Sequence, residues 1–368
     1  MGAEPLPGQR ITGCPRRSEG GGVAGAHGRV GLGPGGHAGD NLLRLPGFAA
    51  KQLRQALEPG GSLIKLRTCR RTLHIYPLAE AGAAHNATLR QRLAACAASV
   101  RRLGQDPKIL TCLTPLIREA LARGPLPYRE LEHQVLAAPL RIQARWDVLG
   151  ELVRLAIRWL WESGELVYRN AADSLHREHR EFHLTHLAHP ALQLSHIDTG
   201  QAVQLLLRRY LTAFGPASID DFQWWSGLTR GEITPALAAL RPELTDIRFT
   251  GQPEPLLLLA EHEPRLRTAE PLPNNHVDLL ASEDPSLKGY FTTRHRYVDD
   301  QHRSLLFNTI GEVRPSIAVA GRCVGTWQFD RRTRTTNRHL YVSVPKVVRL
   351  AVTERLEHMT EFLRSEPI

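Results

Sequence analysis

The chain has 368 residues, 42% hydrophobic and 23% charged. That composition excludes a wholly disordered or fibrous protein and predicts two to four globular domains. A formal net charge of +10 argues against an acidic ligand-free scaffold and for a polyanionic partner, of which nucleic acid is the usual one.

The five cysteines (Cys14, Cys69, Cys96, Cys112 and Cys323) form no C-x-x-C pair and show no regular spacing. This predicts free thiols in a reducing compartment. No apolar run approaches the ~20 residues that span a bilayer, and the N-terminus has no basic-then-apolar leader. A cytoplasmic protein without membrane association is expected.

Residues 1–40 hold 13 of the 30 glycines and few large apolar side chains, a pattern that predicts disorder. From residue 41 the chain becomes globular. Residues 47–57 predict a helix carrying Leu53 and Leu57 on one face. Residues 62–66 and 71–76 predict two strands around a basic knot, Arg67-Thr68-Cys69-Arg70-Arg71. A last helix followed by a two-stranded flap is the back half of a winged helix.

Residues 109–122, 128–136 and 145–161 predict three helices. The first carries Leu110, Leu113, Ile117 and Leu121 on one face; the third carries Trp146, Leu149, Val153, Ile157, Leu160 and Trp161 inward. Arg141 with Arg145, and Arg154 with Arg158, stand four apart, so each pair shares a helix face. Gly164 ends the third helix, and residues 165–169 and 181–187 predict the flap. The pattern then repeats. Val203, Leu206, Leu207, Tyr210 and Leu211 mark a helix ended by Gly215-Pro216; Ser218 and Thr229 cap two more; residues 245–250 and 255–260 close a hairpin.

Beyond His276 the character changes. Residues 290–298, 314–320, 322–329 and 339–344 predict strands, with Ala320-Gly321 as a tight hairpin turn. Pro345 opens a terminal helix over 347–363. The fold class expected is therefore α+β: tandem winged-helix domains followed by a small C-terminal β-barrel-like domain with a terminal helix. The expected division is a disordered segment 1–40, a partial first winged helix and linker helix 41–107, a second 108–198, a third 199–265, and a β-rich domain 266–368.

Three segments also resemble a known family: LLRLPGF with ALEPGGSLIKLRTCRRTLHIYPLAEA (42–81), RRYLTAFGPASIDDFQWWSGL (208–228), and PSLKGYFTTRHRYVDD with LFNTIGEVRPSIAVAGRCVGTW (285–327). They resemble the winged-helix family that includes the AlkZ-like alkylpurine DNA glycosylases. The resemblance implies a basic channel around DNA and, in some members, excision of alkylated or crosslinked purines. In those members two glutamines flanking one residue, upstream of the position matched by LLRLPGF, hold the attacking water. No Q-x-Q stands there in this chain; Gln9 is alone, and Gln52 and Gln55 fall downstream at the wrong spacing. No catalytic residue is carried over.

The DNA-binding residues expected are Arg67, Arg70, Arg71, Thr72 and His74 on the first wing, Arg154 and Arg158 on the middle helix, and Arg294, Arg296 and Arg322 in the C-terminal region. Residues 288–338 hold ten Lys or Arg against four Asp or Glu, which suits a phosphate-tracking surface. The alternative, a solvated basic loop or a charged strand edge, stays open for both clusters. Five histidines stand within 176–189, but Arg180 follows His179 where a zinc protease needs Glu, so no metal is expected. Trp224-Trp225 and Trp159 with Trp161 read as core, and Asp220-Asp221 as helix N-terminal acids.

The leading reading is a monomeric protein that binds double-stranded DNA mainly through its phosphate backbone, with no cofactor. The alternative is a monofunctional glycosylase for alkylated or crosslinked purines in DNA repair, and a second is a transcription regulator.

Overall fold

The computed structural model describes residues 50–139, 146–172, 178–194, 196–309 and 311–365. The expectations for residues 1–40, for Gln9, Arg141, Arg145 and His176, and for the LLRLPGF segment lie outside these residues. The chain divides into two compact units, with the boundary between Leu206 and Leu207.

In the unit Lys51–Leu206, helix α1 (Ala50–Leu57) leads into strands β1 (Leu63–Arg67) and β2 (Leu73–Pro77), paired antiparallel from Leu63 with Pro77 to Arg67 with Leu73. Helix α2 (Leu78–Arg102) follows and buries a face of small residues, Ala81, Ala84 and Ala87, that lets neighbours approach closely. Helices α3 (Leu110–Ala122), α4 (Tyr128–Ala137) and α5 (Leu149–Glu162) then pack with strands β3 (Leu126–Pro127), β4 (Leu166–Asn170) and β5 (Arg180–Leu184) around one apolar core. A short helix, α6 (Thr185–Ala188), follows β5.

The sheet order is β3-β5-β4, all antiparallel. The two-residue strand β3 carries too short a pattern to be read from sequence. Leu152, Ile157 and Leu160 of α5 are almost fully buried, each stabilising the unit by roughly 1.5–3 kcal/mol. Helix α5 starts later than its pattern predicts, after a helical turn at Trp146–Val148. Gly164 ends it with φ of 81°, and a Cβ there would lie 2.6 Å from Leu194 and 2.7 Å from the His85 ring. Only glycine fits both constraints.

In the second unit, the end of helix α7 (Thr199–Phe214) packs with α8 (Ile219–Ser226), α9 (Arg230–Leu240) and the hairpin β6 (Leu244–Ile247) and β7 (Leu256–Leu259). Tyr210, Phe214, Phe222 and Trp225 fill its centre with ring centroids 5.1–6.3 Å apart. Both caps stand at the expected residues. Ser218 pairs with Asp221, and Thr229 with Glu232, in reciprocal capping boxes. A small helix, α10 (Glu263–Arg267), leaves this hairpin.

The C-terminal strands are β8 (Val277–Leu280), β9 (Ser316–Val319), β10 (Arg322–Asp330) and β11 (Thr335–Leu340), with one-turn helices α11 (Pro285–Lys288) and α12 (Arg303–Leu306) between β8 and β9. They form an open antiparallel sheet in sequential order, not a closed barrel. Helix α13 (Lys346–Ser365) packs Val348, Val352, Leu356, Met359 and Leu363 against Val277, Leu279, Ile317 and Trp327. A helix thus covers the apolar side that a barrel would enclose. The β9–β10 hairpin turns at Ala320 (φ 46°) and Gly321 (φ 82°), the two positive φ values a two-residue turn of this hand requires.

Two strand expectations are corrected, and strand β8 has no counterpart in the sequence pattern. The last strand ends at Leu340 rather than covering 339–344, because Asp330 accepts from the Arg332 and Thr333 N–H groups (2.8 and 3.2 Å) and fixes the β10–β11 turn early. Residues 290–298 are not a strand at all. They wrap around the buried carboxylate of Asp221, which accepts from the N–H groups of Phe291 and Thr292 (both 2.7 Å) and Thr293 (3.3 Å) and from the hydroxyls of Thr292 (2.9 Å) and Thr293 (2.7 Å). N–H groups committed to a carboxylate are lost to a ladder.

Candidate nucleic-acid interface

The first basic cluster sits on the turn joining β1 and β2. The turn is tied internally: Thr68 N–H donates to Thr72 O (3.1 Å), Arg71 N–H to Thr68 O (2.9 Å), and Thr72 N–H to Cys69 O (3.1 Å). Arg70 and Arg71 have φ of 51° and 62°. Two consecutive bulky residues in the left-handed region cost on the order of 1 kcal/mol or more each, so surrounding contacts must impose the shape. Thr68 and Cys69 are buried beneath the turn, and the Thr68 hydroxyl lies 2.7 Å from the Tyr76 hydroxyl. Burial pushes the Cys69 thiol up to about 12, so it stays an uncharged packing group.

The five residues expected on this wing divide accordingly. Arg70, Arg71 and Thr72 are exposed at the tip. His74 is only 2% exposed, stacked 6.0 Å from Tyr76, with its pKa pushed down to about 4 by burial. It is a neutral core ring rather than a phosphate contact. Arg67 points inward. Its Nε donates to Glu162 Oε1 at 2.7 Å and its guanidinium lies 5.2 Å from the Trp161 ring.

Glu162 was not singled out in the sequence, yet it organises this region. The carboxylate is fully buried and takes Arg67, Arg92 Nη1 at 3.3 Å and Arg158 at 3.7 Å. Arg92 is itself 1% exposed, and donates further to Thr88 Oγ1 (3.1 Å) and His85 O (2.9 Å). One buried acid among three arginines tethers α2, α5 and the β1 strand end. Arg158 thus has one foot in this cluster, and Arg154 pairs with Glu151 (2.8 Å) and Glu132 (3.2 Å) while staying half exposed.

The second unit treats its arginines differently. Arg294 is 4% exposed and Arg296 7%. Arg294 Nε donates to Tyr290 O at 2.6 Å, and its guanidinium lies 4.5 Å from Trp224 and 4.2 Å from Phe307. Arg296 donates to Pro216 O (3.1 Å) and Tyr297 Oη (3.0 Å) and lies 5.2 Å from the Tyr290 ring. These two are enclosed structural cations, which corrects the expectation that they track phosphate. Arg322 is half-buried, paired with Asp299 and donating to Arg296 O at 3.3 Å. Arg314, Arg331, Arg332 and Arg338 are exposed.

Asp221, expected from sequence only as a helix N-terminal acid, is 0% exposed. Burial works to raise its pKa, but the donors from Phe291, Thr293, Ser218 and Thr292 outweigh it and hold the carboxyl below its ordinary value. Trp225 and Trp161 are core, as expected, while Trp224 is only half-buried. Among the described residues no three His, Cys, Asp or Glu side chains are set to hold a metal, and His183 lies against Glu181 at 3.3 Å. No helix among them is long and apolar enough to cross a membrane.

A model of the family described as DNA glycosylase AlkZ-like matches residues 42–362. The chain belongs to the AlkZ-like DNA glycosylase family. A family relative from Streptomyces sahachiroi, named interstrand DNA cross-link repair glycosylase, is 28% identical over 132 residues. That match spans 35% of this chain and 34% of the relative, about a third of each. The solved structure of Streptomyces sahachiroi DNA glycosylase AlkZ is similar to 82% of this chain and 79% of its own, with a TM-score of 0.65 at 22% identity. The two share a fold, a mixed α+β architecture with open sheets. For the function expected from sequence, the family favours the glycosylase alternative over the broader DNA-binding reading.

Proposed function

We propose that this protein is a DNA-repair glycosylase that engages double-stranded DNA through its phosphate backbone and hydrolyses the N-glycosidic bond of an alkylated or crosslinked purine. The observation that carries this reading is the family match across residues 42–362; the S. sahachiroi relative's name suggests the crosslink as one lesion class. The exposed Arg70-Arg71 tip and the solvent-facing Arg314, Arg331, Arg332 and Arg338 supply cations suited to phosphate contact. The finer architecture belongs to the same proposal: three winged-helix units (41–107, 108–198 and 199–265) ahead of the C-terminal sheet and helix. So does a monomer at work in the cytoplasm.

The chemistry needs a positioned water and groups that stabilise the oxocarbenium-like sugar as the base departs. Gln52 and Gln55 are exposed on α1 and stand three apart, not two. Gln9 lies outside the described residues. Purified protein is incubated with a duplex carrying one 7-alkylguanine, then with alkali to break abasic sites. Strand cleavage above a heat-killed control is expected. Cleavage equal to that control refutes the enzymatic reading and leaves a DNA-binding protein.

A further inference from the structure

Phe291 is a large apolar side chain left 42% exposed, and its surroundings give that exposure a purpose. Its ring lies nearly parallel to Trp224, with centroids 5.3 Å apart and 12° between planes. Behind the pair, the Arg294 guanidinium sits 4.5 Å from Trp224 and 5.3 Å from Phe291. A second cation, Arg303, lies 5.9 Å from the Phe291 ring. Two stacked rings backed by buried positive charge extend a flat π surface outward from the unit.

The backbone holding this ring is unusually well fixed for a loop. Phe291 N–H donates to Asp221 Oδ1 at 2.7 Å, Thr292 and Thr293 hydrogen-bond to the same carboxylate, and Arg303 donates to Phe291 O at 3.4 Å. The Asp221 carboxylate therefore sets the position of an exposed aromatic from 70 residues away. An immobilised ring has already lost its conformational freedom, so a partner that stacks on it gains more.

The chemistry of the neighbours selects the partner. Thr292 and His295, close to Phe291 in the chain, are exposed and polar, so the ring stands among polar side chains rather than in a continuous apolar stripe. Of the basic residues in the segment 288–338, Arg314, Arg331, Arg332 and Arg338 are exposed, and exposed guanidinium groups attract phosphate. A single flat aromatic in a positive, polar surround matches a nucleobase on a charged backbone. We propose that Phe291, backed by Trp224 and Arg294 and fixed by Asp221, is a stacking platform for an unpaired or displaced nucleobase of bound DNA. This rests on the DNA-engaging reading above and assigns to it a base-contacting residue.

The test compares a duplex bearing 2-aminopurine as a one-base bulge with the same duplex fully paired. Wild-type protein should bind the bulged duplex more tightly and quench the 2-aminopurine as the base stacks. Phe291→Ala should weaken binding to the bulged duplex by roughly ten-fold and abolish the quench, while binding to the paired duplex changes by less than about two-fold. Phe291→Trp should restore both. A thermal melt matched to wild type shows that each variant is folded. If Phe291→Ala leaves both duplexes unchanged, or weakens both equally, the platform is overturned while the backbone-binding reading stands. If the wild-type protein itself binds neither duplex, both readings fall together.

Discussion

The turn at Arg67–Thr72 and the loop at Arg294–Arg296 are both dense in arginine, yet they use it in opposite ways. At the β1–β2 turn, one arginine (Arg67) is drawn inside by Glu162, and the two after it stay at the solvent-facing tip. In the 290–298 loop both arginines are drawn inside, by backbone carbonyls and aromatic faces, and the large apolar side chain left exposed is Phe291. The difference lies in the acceptors nearby. A buried carboxylate can neutralise only the cations within its reach, so Glu162 takes Arg67, Arg92 and Arg158 and leaves Arg70 and Arg71 outward. Where rings and carbonyls line the cavity instead, guanidinium planes stack and donate sideways, and full burial becomes tolerable.

The largest effect expected from breaking this arrangement is at Glu162. Glu162→Gln leaves Arg92 charged and buried without its counter-ion, and should cost about 3–5 kcal/mol in urea unfolding. A loss below about 1 kcal/mol would mean that water already reaches the cluster.

A related difference should appear on acidification. The His74 pKa is lowered to about 4 by burial from an ordinary 6.5, so the unfolded chain binds more protons between those values. Stability from this ring is complete above about pH 6.5, declines as pH falls, and is lost once pH passes below about 4, a total of about 3 kcal/mol. Unfolding free energy measured across that range should flatten in His74→Phe. An unchanged slope would assign the acid sensitivity to other groups.

Arg294→Ala removes a buried cation from between Trp224 and Phe307. We expect a stability loss of about 2 kcal/mol with the salt dependence of DNA binding unaltered. Arg70→Ala and Arg71→Ala should do the reverse. Stability holds, and the slope of log affinity against log salt shrinks by about 0.9 for each phosphate contact removed. Were Arg294→Ala to flatten the salt slope as well, the contrast between enclosed and exposed arginines would collapse.

The smallest expected effect sharpens the same contrast. Arg71→Gly removes a strained positive φ and should change stability by less than about 1 kcal/mol, in the favourable direction, while weakening DNA binding as Arg71→Ala does. A stabilised protein with unimpaired binding would show that the strained tip has no part in DNA contact.

Much of this molecule was legible from local signals. The capping residues Ser218 and Thr229, the apolar period of α3, α5, α7 and α13, and the Ala320-Gly321 turn each act across a few neighbouring residues, so the chain alone placed those elements. The β1–β2 hairpin was legible for the same reason: two β-prone runs flank a basic turn. The strand expected at 290–298 failed because its alternating Tyr, Phe, Thr and Arg pattern is read by period, whereas the deciding group was Asp221 on a different helix. His74 and Arg67 were read as surface residues because nothing adjacent in sequence announces the Tyr76 ring stack or the carboxylate of Glu162.

The division follows from the range of the forces involved. Caps, periodicity and turn chemistry are set by bonds closed within about one turn of chain, and the sequence by itself determined where α8 and α9 begin, which faces the helices bury and where the β9–β10 hairpin reverses. Which guanidinium is enclosed, which N–H groups a carboxylate captures and which aromatic remains outside depend on groups 70 to 95 residues apart in the chain. Those outcomes were decided only when the tertiary structure brought a buried acceptor within hydrogen-bond reach, because a charge or N–H removed from water must be paired where the fold places it.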